Sequence, residues 1–149
     1  MRVPAFLAEQ RVVFETIVHP PAFTAQKRAR SLRVSGSHVA KSVLLHGPRG
    51  YLLAILPATQ QVDTDALARD LGGPVRVATD REVAEVFSDC EWGVVPPFGT
   101  LYGLMTLLDA ALDPDTLMVF ETSSHAQAVR MRCRDFERLE KPRRLPFAR

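Results

Sequence analysis

The loop Asp89–Gly99 combines residues that stiffen a backbone with residues that can hold a ligand. It contains the only tryptophan of the chain, two of the eight glycines and two adjacent prolines. Glycine permits positive φ or close approach of another molecule, while proline fixes its own φ and restrains the residue before it. The loop can therefore direct the backbone amides of Gly93, Val94 and Val95 outward as hydrogen-bond donors. The alternative is a connection that only covers the core.

A lysine projects from an apolar row on a predicted strand, residues 39–45. The period of two places four residues on one face of this strand: Val39, Lys41, Val43 and Leu45. Lysine is the minority cation, with three lysines against sixteen arginines, and a compact ammonium differs chemically from a guanidinium. Lys41 is therefore a candidate catalytic group. The alternative is an edge-strand lysine whose ammonium reaches water.

Other reactive side chains form no recognisable catalytic motif. Asp89 and Glu91 are either a carboxylate pair for proton transfer or acceptors of hydrogen bonds that fix the turn. The chain lacks a Gly-x-Ser-x-Gly elbow, a His-Glu-x-x-His zinc helix and glycine-rich nucleotide loops. Cys90 and Cys133 are far apart in sequence, so we expect buried free thiols, no metal and no cofactor.

Length and composition are those of one ordinary globular unit. With 149 residues, 46% hydrophobic and 24% charged, the chain predicts a single domain over residues 1–149. No apolar run approaches the roughly 20 residues of a membrane span, and the N-terminus lacks a signal-peptide core. We therefore expect a cytoplasmic protein that does not bind membranes.

Charge is distributed unevenly along the chain. Residues 1–50 carry a net charge of +6, residues 51–125 carry −9 and residues 126–149 carry +5. If the two basic ends lie side by side, they would form a surface suited to a phosphate backbone. The predicted helix 25–32, with Lys27, Arg28 and Arg30, is the first candidate phosphate contact. The alternative is that these cations only form solvent-exposed helix faces and that the uneven charge is accidental.

The predicted elements indicate an α+β domain with a mixed, mostly antiparallel, curved sheet flanked by helices. Helices are predicted at residues 3–10, 25–32, 63–71 and 134–139, and after Thr79, where Glu82 completes a capping box. Strands are predicted at residues 12–18, 39–45, 51–57, 75–78, 101–108, 117–121 and 126–131. A basic tail follows the last helix.

Several fragments in one order carry a resemblance to a known family. They are His19-Pro20 with Phe23-Thr24-Ala25-Gln26, Val39-Ala40-Lys41-Ser42-Val43, Leu56-Pro57-Ala58 with Val62-Asp63, Asp89-Cys90-Glu91 with Gly93 and Pro96-Pro97-Phe98-Gly99, and Ser124-His125. From about Val12 to Leu139 the chain resembles the YbaK/ProX family, free-standing relatives of the prolyl-tRNA synthetase editing domain.

This resemblance implies hydrolysis of wrongly charged tRNA, chiefly tRNA(Pro) carrying a small amino acid other than proline. Lys41 would help hold the 3′-terminal adenosine and its phosphate. The amides of Gly93 to Val95 would position the aminoacyl carbonyl for attack by water, assisted by the substrate's own ribose hydroxyl. The implied substrate-binding residues are Phe23, Ser42, Pro96, Pro97, Phe98, Gly99 and His125, of which His125 would shape the amino-acid pocket.

Several features stay open at this stage. Ser123 replaces a glycine and Ser42 an asparagine or threonine of many relatives, which affects the size and polarity of the pocket. The residues that decide pocket size are drawn from Phe14, Phe23, Leu53, Leu56, Val95, Phe98 and Met118. Expected partners are the acceptor end of mischarged tRNA and prolyl-tRNA synthetase, and the chain is expected to be a monomer or weak dimer. The alternatives are a tRNA-binding regulator without hydrolysis and an unrelated small-ligand protein.

Overall fold

A computed structural model describes residues 2–18, 38–122 and 124–149. Its elements, in chain order, are α1 (Arg2–Glu9), β1 (Glu15–Val18), β2 (Ala40–Gly47), β3 (Gly50–Pro57), α2 (Thr64–Leu71), β4 (Arg76–Val77), α3 (Asp80–Val86), a 3-10 helix (Gly99–Tyr102), β5 (Met105–Asp109), β6 (Leu117–Glu121), β7 (Gln127–Arg132), α4 (Cys133–Glu140) and β8 (Arg143–Leu145). The predicted helix 25–32, with Lys27, Arg28 and Arg30, lies outside the described residues, as do Phe23 and Ser123.

The described strands form two sheets, with the orders β4-β2-β3-β5-β8 and β1-β7-β6. The β3–β5 and β5–β8 pairs are parallel, and the other pairs are antiparallel. A parallel bridge between Val39 and Val119 connects the two sheets. The predicted α+β class with mixed, mostly antiparallel pairing is confirmed, and the predicted sheet is divided into two.

The β2–β3 hairpin separates two apolar clusters. Its register runs from Ala40 opposite Pro57 to Gly47 opposite Gly50, so alternate residues point to opposite faces. One face, which includes Leu44, joins the larger cluster that contains Val95 and Phe98. The other face, which includes Leu45, joins a smaller cluster that contains Leu67 of α2.

Local capping signals fix α3, the helix that leads into the loop Asp89–Gly99. The Thr79 side chain accepts a hydrogen bond from the Glu82 amide, and the Glu82 carboxylate accepts one from the Thr79 amide, which is the predicted capping box. The same carboxylate accepts hydrogen bonds from Arg76, at 2.7 Å, and from Tyr51, at 2.5 Å. These bonds, with Arg76 the largest contributor, lower the pKa of Glu82 and tie α3 to β3 and β4.

Two predictions after the loop were wrong in detail. Residues 101–108 were predicted as one strand, but the 3-10 helix occupies the start and ends at Gly103, whose φ is +67°. No strand was predicted in the basic tail, but β8 lies there and pairs with β5 in parallel. Buried Asp109 holds the tail, because its Oδ1 accepts hydrogen bonds from the amides of Phe147, at 3.0 Å, and Ala148, at 2.9 Å.

An aromatic stack occupies the larger cluster. The ring centroid of Phe98 lies 5.8 Å from that of Phe6 and 5.5 Å from that of Phe136. The rings of Phe136 and Phe120 stack with their centroids 4.8 Å apart. Cys133 is a free thiol in this cluster, and burial raises its pKa to about 11.

None of the helices in the described ranges is both long and apolar enough to cross a membrane.

The two basic ends of the chain meet in the smaller sheet, because β1 pairs with β7. Arginines of the C-terminal segment form ion pairs. Arg130 pairs with Glu15 across β7 and β1, and the other pairs are Arg134 with Asp115, Arg138 with Asp135 and Arg144 with Glu137. The condition for a joint basic surface is thus met for β1 and β7, whereas the cations at residues 27–33 lie outside the described residues. The pairs neutralise part of the expected positive surface and, being mostly exposed, each contribute little to stability.

Candidate active site

The loop Asp89–Gly99 is held against the turn between β6 and β7. The Glu91 carboxylate accepts hydrogen bonds from the Ser124 hydroxyl, at 2.8 Å, and from the His125 amide, at 3.2 Å. These bonds, the Ser124 bond first, lower the pKa of Glu91. Glu91 therefore serves as the acceptor that fixes the turn, which is one of the two roles that the sequence left open.

His125 makes a second link to the same loop. Its side-chain Nε2 lies 2.8 Å from the Trp92 carbonyl oxygen and, because a carbonyl only accepts, Nε2 carries the proton. The His125 side chain is largely buried beside the loop. The structure thus brings together His125 and the glycine loop, which the sequence separates by about thirty residues.

Asp89 is fixed by the tyrosine that follows the loop. The Tyr102 hydroxyl donates to both carboxylate oxygens of Asp89, at 2.9 and 3.1 Å, and lies 3.4 Å from the Cys90 sulfur. Phe87 packs edge-on against the Tyr102 ring, with the two ring centroids 4.8 Å apart. Burial raises the pKa of Tyr102, so the hydroxyl stays a neutral donor. The first part of the loop, from Asp89 to Trp92, is therefore held by side-chain hydrogen bonds.

The amides of the loop do not all point outward. The Val94 amide donates to the Glu91 carbonyl, at 3.1 Å, which corrects the prediction that three successive amides would be available. In the described part of the chain, the amides of Gly93 and Val95 meet no acceptor. The amide of exposed Gly93 and the amide of Val95, a residue that is 8% exposed, thus have no hydrogen-bond partner among the described residues.

Gly93 is required by its backbone conformation. Its φ of +85° lies in the region that side-chain-bearing residues rarely adopt. A β-carbon added there would lie 3.8 Å from His125 Nε2, an ordinary contact, so space is not the constraint.

The second half of the loop supports the site from inside. Pro96, Pro97, Phe98 and Gly99 are all buried, and Phe98 is fully enclosed by the aromatic stack. A β-carbon on Gly99 would lie 2.6 Å from Thr106 Oγ1, so only glycine fits. These four residues therefore pack inside the fold, and their expected contact with substrate stays a prediction.

The predicted pocket-size residues also belong to the core. Leu53, Val95, Phe98 and Met118 lie in the larger cluster with Phe14 packed against it, and Leu56 lies in the smaller cluster. In the described structure these side chains contribute to packing, and their effect on the amino-acid pocket stays a prediction.

Glu140, which the sequence analysis did not single out, anchors the residue after the loop. Its carboxylate accepts hydrogen bonds from the Thr100 amide, at 3.0 Å, and the Thr100 hydroxyl, at 2.6 Å. Only 7% of Glu140 is exposed, and burial raises its pKa despite these bonds. No short-range pattern reveals this contact, because forty residues separate the partners.

Lys41 lies on β2 with its ammonium half-buried. Burial lowers its pKa, and among the described residues the ammonium makes no hydrogen bond or ion pair. The Val39–Val119 bridge places Lys41 level with the C-terminal end of β6, from which the chain turns toward His125. Lys41 therefore lies on the segment bridged to β6, whose end leads into the turn that holds the loop, and it makes no hydrogen bond to the loop.

The two faces of β2 separate Lys41 from Ser42. Lys41 pairs with Leu56 and shares the face of the smaller cluster, as the alternation predicted. Ser42 pairs with Ile55 on the face of the larger cluster, which contains Val95.

In the described ranges, no group of three or more histidine, cysteine or carboxylate side chains is placed to hold a metal ion.

A family model described as aminoacyl-tRNA editing domain matches residues 19–139. The chain belongs to this family. The match confirms the family and the enzyme class, aminoacyl-tRNA deacylase, that the sequence fragments predicted.

Relatives of the editing family match over most of their length. A protein of Escherichia coli strain K12 named multifunctional Ser/Thr-tRNA deacylase ProXp-y is 26% identical over 154 residues, which cover 99% of this chain and 92% of the relative. The crystal structure of a hypothetical protein superposes with a TM-score of 0.91 at 17% identity and covers 100% of both chains. A candidate trans-editing enzyme for prolyl-tRNA synthetase superposes with a TM-score of 0.79 at 23% identity, over 91% of this chain and 87% of the other. The last two likenesses establish the fold.

Proposed function

We propose that this editing domain deacylates mischarged tRNA at the loop Asp89–Gly99, and that Gly93, Val95, Lys41 and His125 form its working parts. The observation that carries the proposal is the pair of unpartnered amides at Gly93 and Val95 on a backbone fixed by side-chain hydrogen bonds. Preorganised donors of this kind stabilise the charge that develops on a carbonyl oxygen during acyl transfer.

The chemistry requires neither a nucleophilic side chain nor a metal. Water adds to the carbonyl carbon of the ester, and the oxygen that becomes negative accepts hydrogen bonds from the two amides. The bond to the ribose oxygen then breaks and that oxygen takes a proton, which leaves the free amino acid and uncharged tRNA. The neighbouring ribose hydroxyl assists the water. Positioning and electrostatics supply the acceleration, because an aminoacyl ester is already labile.

Lys41 has the role of binding the phosphate and ribose of the terminal nucleotide. Its ammonium is half-buried and makes no ion pair with the described residues, so a phosphate would supply the missing opposite charge. His125 positions the loop, because its ring donates to the Trp92 carbonyl beside Gly93.

The proposed substrates are tRNAs that carry a small amino acid other than the cognate one. The E. coli relative is named for serine and threonine, and resemblance of the sequence to prolyl-tRNA editing proteins adds tRNA(Pro) carrying alanine, serine, threonine, cysteine or 2-aminobutyrate. We further propose that residues 1–149 act as one domain in the cytoplasm, as a monomer or weak dimer, beside prolyl-tRNA synthetase.

A panel of mischarged tRNAs at equal concentration tests the proposal. We expect release of at least one small amino acid under single-turnover conditions, and slower release with Lys41→Met, which keeps the aliphatic stem but removes the charge. Arg69→Ala is the matched control, because Arg69 is an exposed cation on α2. Tight, salt-sensitive tRNA binding without turnover would instead select the regulatory alternative. No binding and no turnover would select the small-ligand alternative.

A further inference from the structure

Trp92 exposes its indole beside the unpartnered amide of Gly93. The residue is 68% exposed, although tryptophan is the largest apolar side chain. Other exposed large apolar residues lie on strands or in connecting segments outside the loop: Val13, Val18, Val77, Met105 and Leu117. An exposed tryptophan at a site of hydrogen-bond donors is a candidate contact for a flat ligand.

The backbone of Trp92 is fixed although its side chain is in solvent. The Val94 amide bonds to the Glu91 carbonyl, so residues 91–94 form a β-turn with Trp92 and Gly93 at its centre. The φ of +85° at Gly93 fits the third position of a type II turn. The Trp92 carbonyl is also held by His125, at 2.8 Å. A ligand that stacks on the indole therefore meets a backbone that is already ordered, which lowers the entropic cost of binding.

We propose that the Trp92 indole is the stacking surface for the terminal adenine of the tRNA. This inference rests on the proposed function, which places the aminoacyl ester at the amides of Gly93 and Val95. The ester is carried by the ribose of the terminal nucleotide, so the base of that nucleotide lies within a few ångströms of it. Adjacent Cα atoms are about 3.8 Å apart, so the residue before Gly93 is within reach of that base.

Stacking on the terminal base suits an enzyme that must accept different amino acids attached to the same tRNA 3′ end. Every base has a π-face, so an indole contributes affinity without reading the amino acid. Loss of one base–aromatic stack weakens binding by about 5- to 100-fold. The contribution appears mainly in KM, because the base does not change during the reaction.

The single tryptophan allows a direct experiment on binding. Fluorescence excited at a wavelength that tryptophan absorbs and the two tyrosines do not reports only Trp92. The probe is a non-hydrolysable aminoacyl-minihelix of the acceptor stem with an intact CCA end, and its control carries an abasic terminal nucleotide. We expect quenching by the intact probe, and about tenfold weaker binding of the abasic probe.

Variants separate stacking from general apolar contact. Trp92→Phe keeps a flat ring, whereas Trp92→Leu keeps apolar bulk without one. We expect Trp92→Leu to raise KM for mischarged tRNA by about 5- to 100-fold with kcat within about threefold of the parent, and Trp92→Phe to recover most of the loss. Met105→Ala, at an exposed apolar position on β5, should leave KM unchanged.

The outcomes distinguish this inference from the proposed function. Equal affinity for intact and abasic probes, or equal KM for Trp92→Leu and Trp92→Phe, would overturn the stacking role even if deacylation is normal. Quenching that requires the terminal base, in a parent protein that hydrolyses no mischarged tRNA, would support stacking and overturn the proposed hydrolysis.

Discussion

His125 Nε2 lies 2.8 Å from the carbonyl oxygen of Trp92, which joins the β6–β7 turn to the glycine loop. The Glu91 carboxylate joins the same two segments through the Ser124 hydroxyl and the His125 amide. Three hydrogen bonds therefore hold the backbone on which the amides of Gly93 and Val95 are displayed. The geometry of these donors depends on a turn that is distant in sequence.

Replacement of His125 tests this dependence. His125→Ala removes the bond to Trp92, so we expect deacylation about 10- to 100-fold slower, because small displacements of reacting groups are costly. His125→Gln retains an N–H donor and should recover part of the rate. Single-turnover rates check this expectation, with thermal unfolding to confirm that each variant is folded. A normal rate for His125→Ala would show that the bond does not position the loop.

Gly93→Ala separates backbone strain from space. The φ of +85° makes alanine unfavourable by about 1–2 kcal/mol, whereas the added β-carbon meets no close contact. Gly72→Ala is the matched control, because Gly72 has a φ of +77° and open space at the end of α2. Denaturant unfolding should give similar losses of stability for both variants. Only Gly93→Ala should lose deacylation, and equal activity of the two would contradict the role of the loop amides.

Glu140 should impose a pH dependence on stability. Its folded-state pKa is raised above the ordinary 4.5 by burial, so the folded protein binds the proton more tightly than the unfolded chain. The resulting stabilisation is complete below pH 4.5 and is lost as the pH rises through the raised pKa.

Unfolding of Glu140→Gln by urea between pH 4 and pH 8 measures this contribution. The variant should show a flatter profile than the parent across that window. Thr100→Val removes a hydroxyl donor from a buried carboxylate and should cost about 1–3 kcal/mol at neutral pH. Identical profiles for the parent and Glu140→Gln would contradict the expected shift.

Local patterns predicted the elements whose determinants are close in sequence. The capping box of Thr79 and Glu82 and the end of α2 at Gly72 follow from side chains within one turn of the helix. The β2–β3 hairpin follows from two apolar runs around Gly47 and Gly50. In these places propensity and tertiary structure agree.

Features that depend on contacts between residues distant in sequence could not be predicted from local patterns. Strand β8 is a short, arginine-rich segment that becomes a strand only because β5 offers a parallel edge. Glu140 and Thr100 are forty residues apart, and the contact of Trp92 with His125 is similarly remote. Phe98 was assigned to the substrate because of its place in the motif, but the aromatic stack encloses it. Motif matching does not distinguish a residue that supports a loop from one that touches the ligand.

Lys41 and the glycine loop are proposed to hold the same aminoacyl end of the tRNA, Lys41 at the phosphate and ribose and the loop amides at the ester carbonyl. The most direct test is single-turnover hydrolysis of the best mischarged tRNA of the panel by the parent, Lys41→Met and Arg69→Ala. At subsaturating enzyme, we predict that Lys41→Met is slower by about 10- to 100-fold while Arg69→Ala matches the parent, because a contact between an ammonium and a phosphate contributes about 1.5–3 kcal/mol to binding. A Lys41→Met variant as fast as the parent would contradict the claim.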